Sequence, residues 1–302
     1  MGGSMEFFLS DVFGSERYTG NQLATFLSGP DLSPLEMQRI AREINFSETT
    51  FILSREPRGG AWPVRIFTPA AEVDFAGHPT LGTAAIIRRH LLREPAAEVV
   101  LDLKAGRVPV TFTDGGPTTA GDGGLLWMRQ VAPVFREPVA AEAMASTLGL
   151  AVGDIAPCWP LEQVSTGLPH VIVPVRSLEI LRRVRVSRLA YDRLVDRIWA
   201  RCLLVFCPLG RDDSHDVSVR MFAPALGVAE DPATGSGAGC LAAYLLRHRC
   251  LGTRGVETRV GQGHEIGRPS LLHLRAQGEN GAIRVEVGGR VFEVARGTWG
   301  QG

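Results

Sequence analysis

Arg65-Ile66-Phe67-Thr68-Pro69-Ala70 returns as Arg220-Met221-Phe222-Ala223-Pro224-Ala225, 155 residues further on (220 − 65). Each copy runs into a small-residue turn containing glycine and then into an apolar, helix-like stretch. The first turn is Gly77-His78-Pro79-Thr80 and the second is Asp231-Pro232-Ala233-Thr234-Gly235-Ser236-Gly237. A second echo joins Thr19-Gly20 to Thr166-Gly167-Leu168-Pro169-His170, at an offset of 147 (166 − 19). In a chain of 302 residues, a repeat at half length predicts two similar lobes. A solenoid would repeat every 20–50 residues or so. If the lobes face each other, the two glycine turns are expected to meet in one cleft.

The chain is 45% hydrophobic and 21% charged, a composition that can build two cores. Its 32 basic and 32 acidic residues cancel, leaving no electrostatic footprint for nucleic acid or an anionic membrane. The most basic stretch, residues 181–188, alternates arginine with apolar residues and reads as a solvated surface. No apolar run reaches the roughly 20 residues of a membrane helix, and the first residues lack the pattern of a secretion signal. Five cysteines, an odd number without a C-x-x-C pair, fit a reducing cytoplasm. Cytoplasmic location without a nucleic-acid or membrane partner is the expectation.

Local patterns supply the scaffold. Residues 7–13 read as a strand, and Ser33-Pro34-Leu35-Glu36 joins an N-cap, a first-turn proline and a capping-box glutamate. The helix it opens places Met37, Ile40, Ala41 and Ile44 on one face and stops near Asn45, before a β-rich strand at 49–53. Further strands are predicted at 64–67, 99–103, 108–112, 125–129, 171–175, 203–207 and 217–222. Further helices are predicted at 140–148 and 188–200. Ala105-Gly106 suggests one hairpin turn, and Gly288-Gly289 a second, between strands at 283–287 and 291–294. Many strands and few helices per half indicate α+β lobes rather than a βαβ series. The boundaries expected are an N-terminal lobe over 1–129, completed by the strand near 290–302, and a C-terminal lobe over 130–289.

The stretches after the glycine turns, residues 81–87 and 238–246, are apolar nearly all round. A helix with no polar face is buried on every side. Its first N–H groups and the positive end of its dipole then offer a seat for a carboxylate or phosphate.

Several segments together resemble the PhzF-like proteins, named for the isomerase of phenazine biosynthesis. They are Gly20-Asn21, Asn45-Phe46-Ser47-Glu48-Thr49-Thr50-Phe51, Arg65-Ile66-Phe67-Thr68-Pro69, Ala76-Gly77-His78-Pro79-Thr80-Leu81-Gly82-Thr83-Ala84, Ser165-Thr166-Gly167-Leu168-Pro169-His170 and Glu230-Asp231-Pro232-Ala233-Thr234-Gly235-Ser236. The resemblance runs in order from about residue 8 to 248. It implies the diaminopimelate-epimerase-like fold: two pseudo-symmetric α+β lobes, each a curved mixed sheet around a central apolar helix, with the active site between them. It implies Glu48 as general acid/base, His78 as a substrate-polarising or proton-handling side chain, and Asp231 facing the same cleft. It further implies that Gly77, Gly235 and Ser236 hold a substrate carboxylate, and that the chain forms a homodimer.

Read alone, these residues carry blander roles. Glu48 at a helix-to-strand junction is ordinary surface chemistry, His78 a capping or packing group, and Asp231 before Pro232 a turn residue. A carboxyl partly withdrawn from water has a raised pKa, which would let one glutamate both take and return a proton. The two-base epimerases of this fold carry a cysteine in each glycine turn. Here Ala76 and Thr234 stand at those positions, and Cys240 comes too late. The dinucleotide pattern fails at Cys240, the G-x-S-x-G elbow fails at Thr234, and the seven histidines lack zinc-ligand spacing, so no cofactor or metal is expected. The reading is a cofactor-independent isomerase that moves a proton within a small unsaturated or activated carboxylic acid. Two others stand beside it: a non-catalytic small-molecule-binding protein that keeps the fold, and a racemase or epimerase without the two cysteines.

Overall fold

The computed structural model describes residues 4–28, 32–94, 96–113, 124–252, 254–279 and 281–300. They fall into two units, Met1–Arg129 with Gly288–Gly302, and Gln130–Val287. Both are α+β. Among the described residues no helix is long and apolar enough to cross a membrane.

In the first unit Met5–Val12 (β1) and Asn21–Leu27 (β2) are antiparallel neighbours. Pro34–Ile44 (α1) leads into Glu48–Ile52 (β3), which lies parallel to β2. Trp62–Phe67 (β4) runs antiparallel to β3, and the short Glu72–Val73 (β5) folds back on it before Gly77–His90 (α2). Glu98–Leu103 (β6) is parallel to β4, and Gly106–Phe112 (β7) and Leu126–Arg129 (β8) continue antiparallel. The C-terminal strand Val291–Trp299 pairs with β1.

Sequence explains both helices of this unit. Ser33 and Glu36 form the capping box, Met37, Ile40 and Ala41 are buried, and Asn45 ends α1 in the left-handed region at φ 56°. The buried face of α1 packs on Phe26, Phe51 and Phe67. The sheet closes on its other side around α2, which touches β1, β2, β3, β6, β7, β8 and the C-terminal strand. Ten residues of α2 are buried, from Gly77 through Ile87 with Ala85 excepted. Gly82 shows why small residues are needed: a Cβ there would come within 2.4 Å of Leu23. Thr83 donates to Thr50 and Thr50 to Thr25, at 2.8 and 3.0 Å, so the buried hydroxyls tie helix to sheet.

The second unit repeats the plan. Its elements are Val134–Arg136 (β9), Ala141–Leu148 (α3), Glu162–Ser165 (β10), Pro169–Pro174 (β11), Leu178–Arg183 (α4), Arg188–Val195 (α5), Cys202–Cys207 (β12), Val217–Ala223 (β13), Val228–Asp231 (β14), Gly235–Arg247 (α6), Gly255–Gln262 (β15) and Ser270–Glu279 (β16). β10 to β13 pair as β1 to β4 do, including the one parallel step, β11 with β12. β13 takes β14 antiparallel and β15 parallel, as β4 takes β5 and β6, and β9 lies on β10 as the C-terminal strand lies on β1. One topology has been used twice.

The repeated arginine does the same work in each copy. Arg65 on β4 grips Glu72 on β5 through two bonds of 2.8 Å, and its guanidinium lies 5.1 Å from the Phe67 ring centroid. Arg220 on β13 grips Glu230 on β14 at 2.8 and 2.6 Å and lies 4.9 Å from the Phe222 ring. Such bidentate pairs fix two strands in orientation as well as distance. Arg220 also donates to the carbonyls of Leu181, Arg182 and Val184, closing the end of α4.

Three sequence expectations need correction. Gly288-Gly289 is not a hairpin turn: Ala282–Gly289 (β17) runs through both glycines, and Val291–Trp299 pairs with β1 instead. The glycines serve close approach, since a Cβ on Gly288 would meet Trp127 at 2.6 Å and one on Gly289 would meet Phe13 at 2.3 Å. The helix expected over 188–200 stops at Val195, because the Gln163 side-chain oxygen takes the amides of Trp199 and Ala200, at 2.8 and 3.0 Å. The two central helices begin at Gly77 and Gly235, so the glycines open the helices rather than precede them.

The duplicated clamps differ in burial, with side chains 5% and 10% exposed for Arg220–Glu230 against 25% and 24% for Arg65–Glu72. Breaking a buried pair strands the remaining charge and costs about 3–5 kcal/mol. Arg220→Met is therefore expected to lose stability in that range and Arg65→Met clearly less. Urea unfolding of the two variants checks the order.

Candidate active site

Glu48 opens β3, three residues after the left-handed Asn45 turns the chain out of α1. Its side chain is 20% exposed. His78 is the second residue of α2, buried among the closing strands, and its Nε2 lies 3.5 Å from Glu48 Oε2. The His78 ring also hydrogen-bonds the backbone of Gln22. That bond strengthens the protonated form, as a carbonyl acceptor would, and so places the neutral ring's proton on the nitrogen facing Gln22. Nε2 then turns a lone pair toward Glu48. Burial drives the His78 pKa down to about 3, so at neutral pH the group beside Glu48 is an uncharged imidazole.

The start of α2 adds polarity. Gly77 is its first residue, and the N-cap Ala76 has no side chain able to cap the helix. The first amides and the helix dipole are thus available near His78.

In the second unit Asp231 ends β14 and Thr234 is the N-cap of α6, whose first two residues are Gly235 and Ser236. Thr234 Oγ1 donates to Asp231 Oδ2 rather than capping the helix. Gln262, at the end of β15, donates from Nε2 to Asp231 O at 2.8 Å and to Thr234 Oγ1 at 3.0 Å. Its Oε1 accepts from Thr234 N at 3.2 Å. Gly237 sits so near His170 that a Cβ would meet its Nε2 at 3.1 Å. His170 bonds the Leu168 carbonyl through Nδ1 at 2.8 Å, and burial pushes its pKa down to about 4.

All six residues singled out from the sequence therefore sit at the first turn of a central helix or beside it: Glu48, His78 and Gly77 at α2, and Asp231, Gly235 and Ser236 at α6. Gln262 and His170 were not foreseen. The strand registers show how they could have been found. Phe67 and Phe222 occupy matching places, with Thr49 opposite the first and Leu203 opposite the second, so Glu48 corresponds to Cys202. Glu48 pairs with Leu23 and Cys202 with His170, making Leu23 the counterpart of His170. The candidate acid/base thus has a buried thiol as its twin. Burial pushes both Cys202 and Cys240 up to about 12, far from a thiolate at neutral pH.

Comparison with known proteins finds relatives over nearly the whole chain. The family model described as "Phenazine biosynthesis-like protein" (PhzC-PhzF) matches residues 10–297. The trans-2,3-dihydro-3-hydroxyanthranilate isomerase of Pseudomonas fluorescens is 36% identical over 97% of this chain and 98% of its own length. The crystal structure of a Bacillus anthracis phenazine biosynthesis protein of the PhzF family superposes with a TM-score of 0.88 at 29% identity, covering 98% and 99% of the two chains. A hydroxyproline epimerase from Agrobacterium vitis shares the fold at 12% identity, with a TM-score of 0.65 over 98% and 91%.

The two buried imidazoles set an acid limit on stability. Their folded pKa values, about 3 and about 4, lie below the unfolded value near 6.5, so the unfolded chain binds protons that the folded chain refuses. Their contribution is complete above about pH 6.5 and is lost as pH falls toward the folded values. His170→Leu, which installs the residue of the other unit, removes one of these contributions. Between about pH 4.5 and 5.5 the slope of unfolding free energy against pH is expected to fall by about 1 kcal/mol per pH unit. Urea titrations across that range measure it, and an unchanged slope would mean that folded His170 is protonated.

Proposed function

The chain belongs to the phenazine biosynthesis-like PhzF family and is an isomerase, and on that footing we propose that Glu48 is its proton shuttle. The substrate is a small unsaturated or activated carboxylic acid. Glu48 takes a proton from one carbon as the double bond shifts and returns it to another carbon, so atoms and charge balance without a cofactor. The observation that carries this reading is the 3.5 Å approach of Glu48 Oε2 to a buried, neutral His78 at the uncapped start of α2. A neutral imidazole with its Nε2 lone pair toward Glu48 can accept a hydrogen bond from that carboxyl once it carries the proton, without adding a competing charge. The uncapped start of α2 at Gly77 supplies amides suited to a substrate carboxylate, and in the second unit Gly235, Ser236 and Asp231 offer the same chemistry at the start of α6 and are assigned to substrate binding and catalysis on that ground.

Two features favour one carboxylate over two thiols. Ala76 and Thr234 are the N-caps of the central helices, where thiol bases would have to stand. The cysteine that matches Glu48 in the second unit is buried, with its pKa pushed up to about 12.

The relatives' named substrate, trans-2,3-dihydro-3-hydroxyanthranilate, is the first probe to use. Glu48→Gln keeps the size of the side chain but cannot exchange a proton. Its kcat is expected to drop by at least about 10²–10⁴-fold with little change in KM. Cys202→Ser and Cys240→Ala are expected to keep turnover wherever the variant stays folded. A folded Glu48→Gln protein with near-normal kcat would refute the shuttle.

A further inference from the structure

We infer that Gln262 and Thr234 form a relay that holds the Asp231 carboxylate in one protonation state and orientation, and that both are positioning residues of the isomerase. The inference rests on the assignment of Asp231 to the site proposed above.

The hydrogen-bond directions leave little choice. Gln262 Oε1 accepts from the Thr234 amide, and Nε2 donates to Asp231 O, so the carboxamide cannot be flipped without facing donor to donor and acceptor to acceptor. Its second N–H then points at Thr234 Oγ1, which must act there as an acceptor. The hydroxyl proton of Thr234 is given to Asp231 Oδ2. An oxygen that receives such a bond is stabilised as an anion. The side chains of Asp231 and Thr234 are nearly buried and Gln262 is 1% exposed, so water competes weakly for these bonds. The same bond draws the Thr234 hydroxyl away from the amides of α6, which its side chain leaves uncapped.

The first unit supplies the control. Trp62 pairs with Leu101 and Val217 with Val260, so Leu103 is the counterpart of Gln262. The clamp glutamates Glu72 and Glu230 stand four residues before the N-caps, which makes Val73 the counterpart of Asp231 and Ala76 that of Thr234. Where the second unit has aspartate, threonine and glutamine, the first has valine, alanine and leucine. The fold closes around its central helix with either set. The polar trio has changed together, as expected of groups that serve one carboxylate and not the packing.

The test uses the full-length protein and trans-2,3-dihydro-3-hydroxyanthranilate. A hydrogen bond to a charged group is worth roughly 1.5–3 kcal/mol, so Thr234→Val and Gln262→Leu are each expected to lower kcat about 10–100-fold. KM should change by less than about threefold, and Thr234→Ser should restore most of the rate. In an Asp231→Asn background the same substitutions are expected to cost less than about threefold, since the group they act through is gone. Melting curves establish that each variant is folded, and Gln262→Met replaces Gln262→Leu if the latter is not. Carbon NMR of the Asp231 carboxyl provides a readout independent of turnover: its titration should move to higher pH in Thr234→Val. Losses that add to that of Asp231→Asn, wild-type kcat in folded Thr234→Val, or an unmoved Asp231 titration would each overturn the inference. Absence of turnover by the wild-type protein would instead count against the proposed substrate, and the NMR measurement would still decide the relay.

Discussion

A helix enclosed by its own sheet must let strands come close on every side, and its first amides have no bulk water on which to rely. α2 and α6 meet the first demand with glycine, alanine and threonine. Side chains at Gly82, Gly237 or Gly239 would run into Leu23, Leu204 or Thr166 at 2.4–2.8 Å. The second demand is left open, since neither Ala76 nor Thr234 caps the helix that follows it. Enclosure thus leaves two uncapped, polar helix starts in otherwise apolar cores. Every side chain proposed for catalysis or binding lies at one or the other.

The duplicated plan was legible because it is written in short-range terms: a repeated arginine-aromatic strand, a glycine turn and an apolar helix. Those signals survive where packing demands them. Glu48 was a different case. Nothing local marks a glutamate between Ser47 and Thr49, and only the resemblance of several segments together drew attention to it. Gln262 was invisible for a third reason. Its partners lie some 30 residues away, and its meaning appears only when strand register sets it against Leu103. Gly288-Gly289 misled because glycine has two uses, positive φ and close approach, and sequence does not say which one a given pair serves. The end of α5 was missed because a side chain on a distant strand, Gln163, takes the amides that would have extended the helix.

The halves differ in an instructive way. What holds the sheet is kept in both: the Arg65–Glu72 and Arg220–Glu230 clamps, their phenylalanines and the order of strands. The residues proposed to bear chemistry are not. Glu48 answers to Cys202, His78 to Ser236 and Asp231 to Val73. These positions surround the helix starts, whereas the close contacts made by Gly82 and Gly239 lie further along each helix.

The pairing of the C-terminal strand with β1 bears on how the chain is made. Seven residues of β1 gain their second neighbour only from a segment synthesised after the whole of the second unit. Trp299, on that segment, packs its ring against Phe7 and Phe26, 6.1 and 5.4 Å between centroids. On the ribosome the second unit is therefore the first to have all its strands, while the nascent first unit waits with an open, aromatic-rich edge. Open edges invite pairing with other chains. The half that emerges first is thus the one whose sheet is completed last.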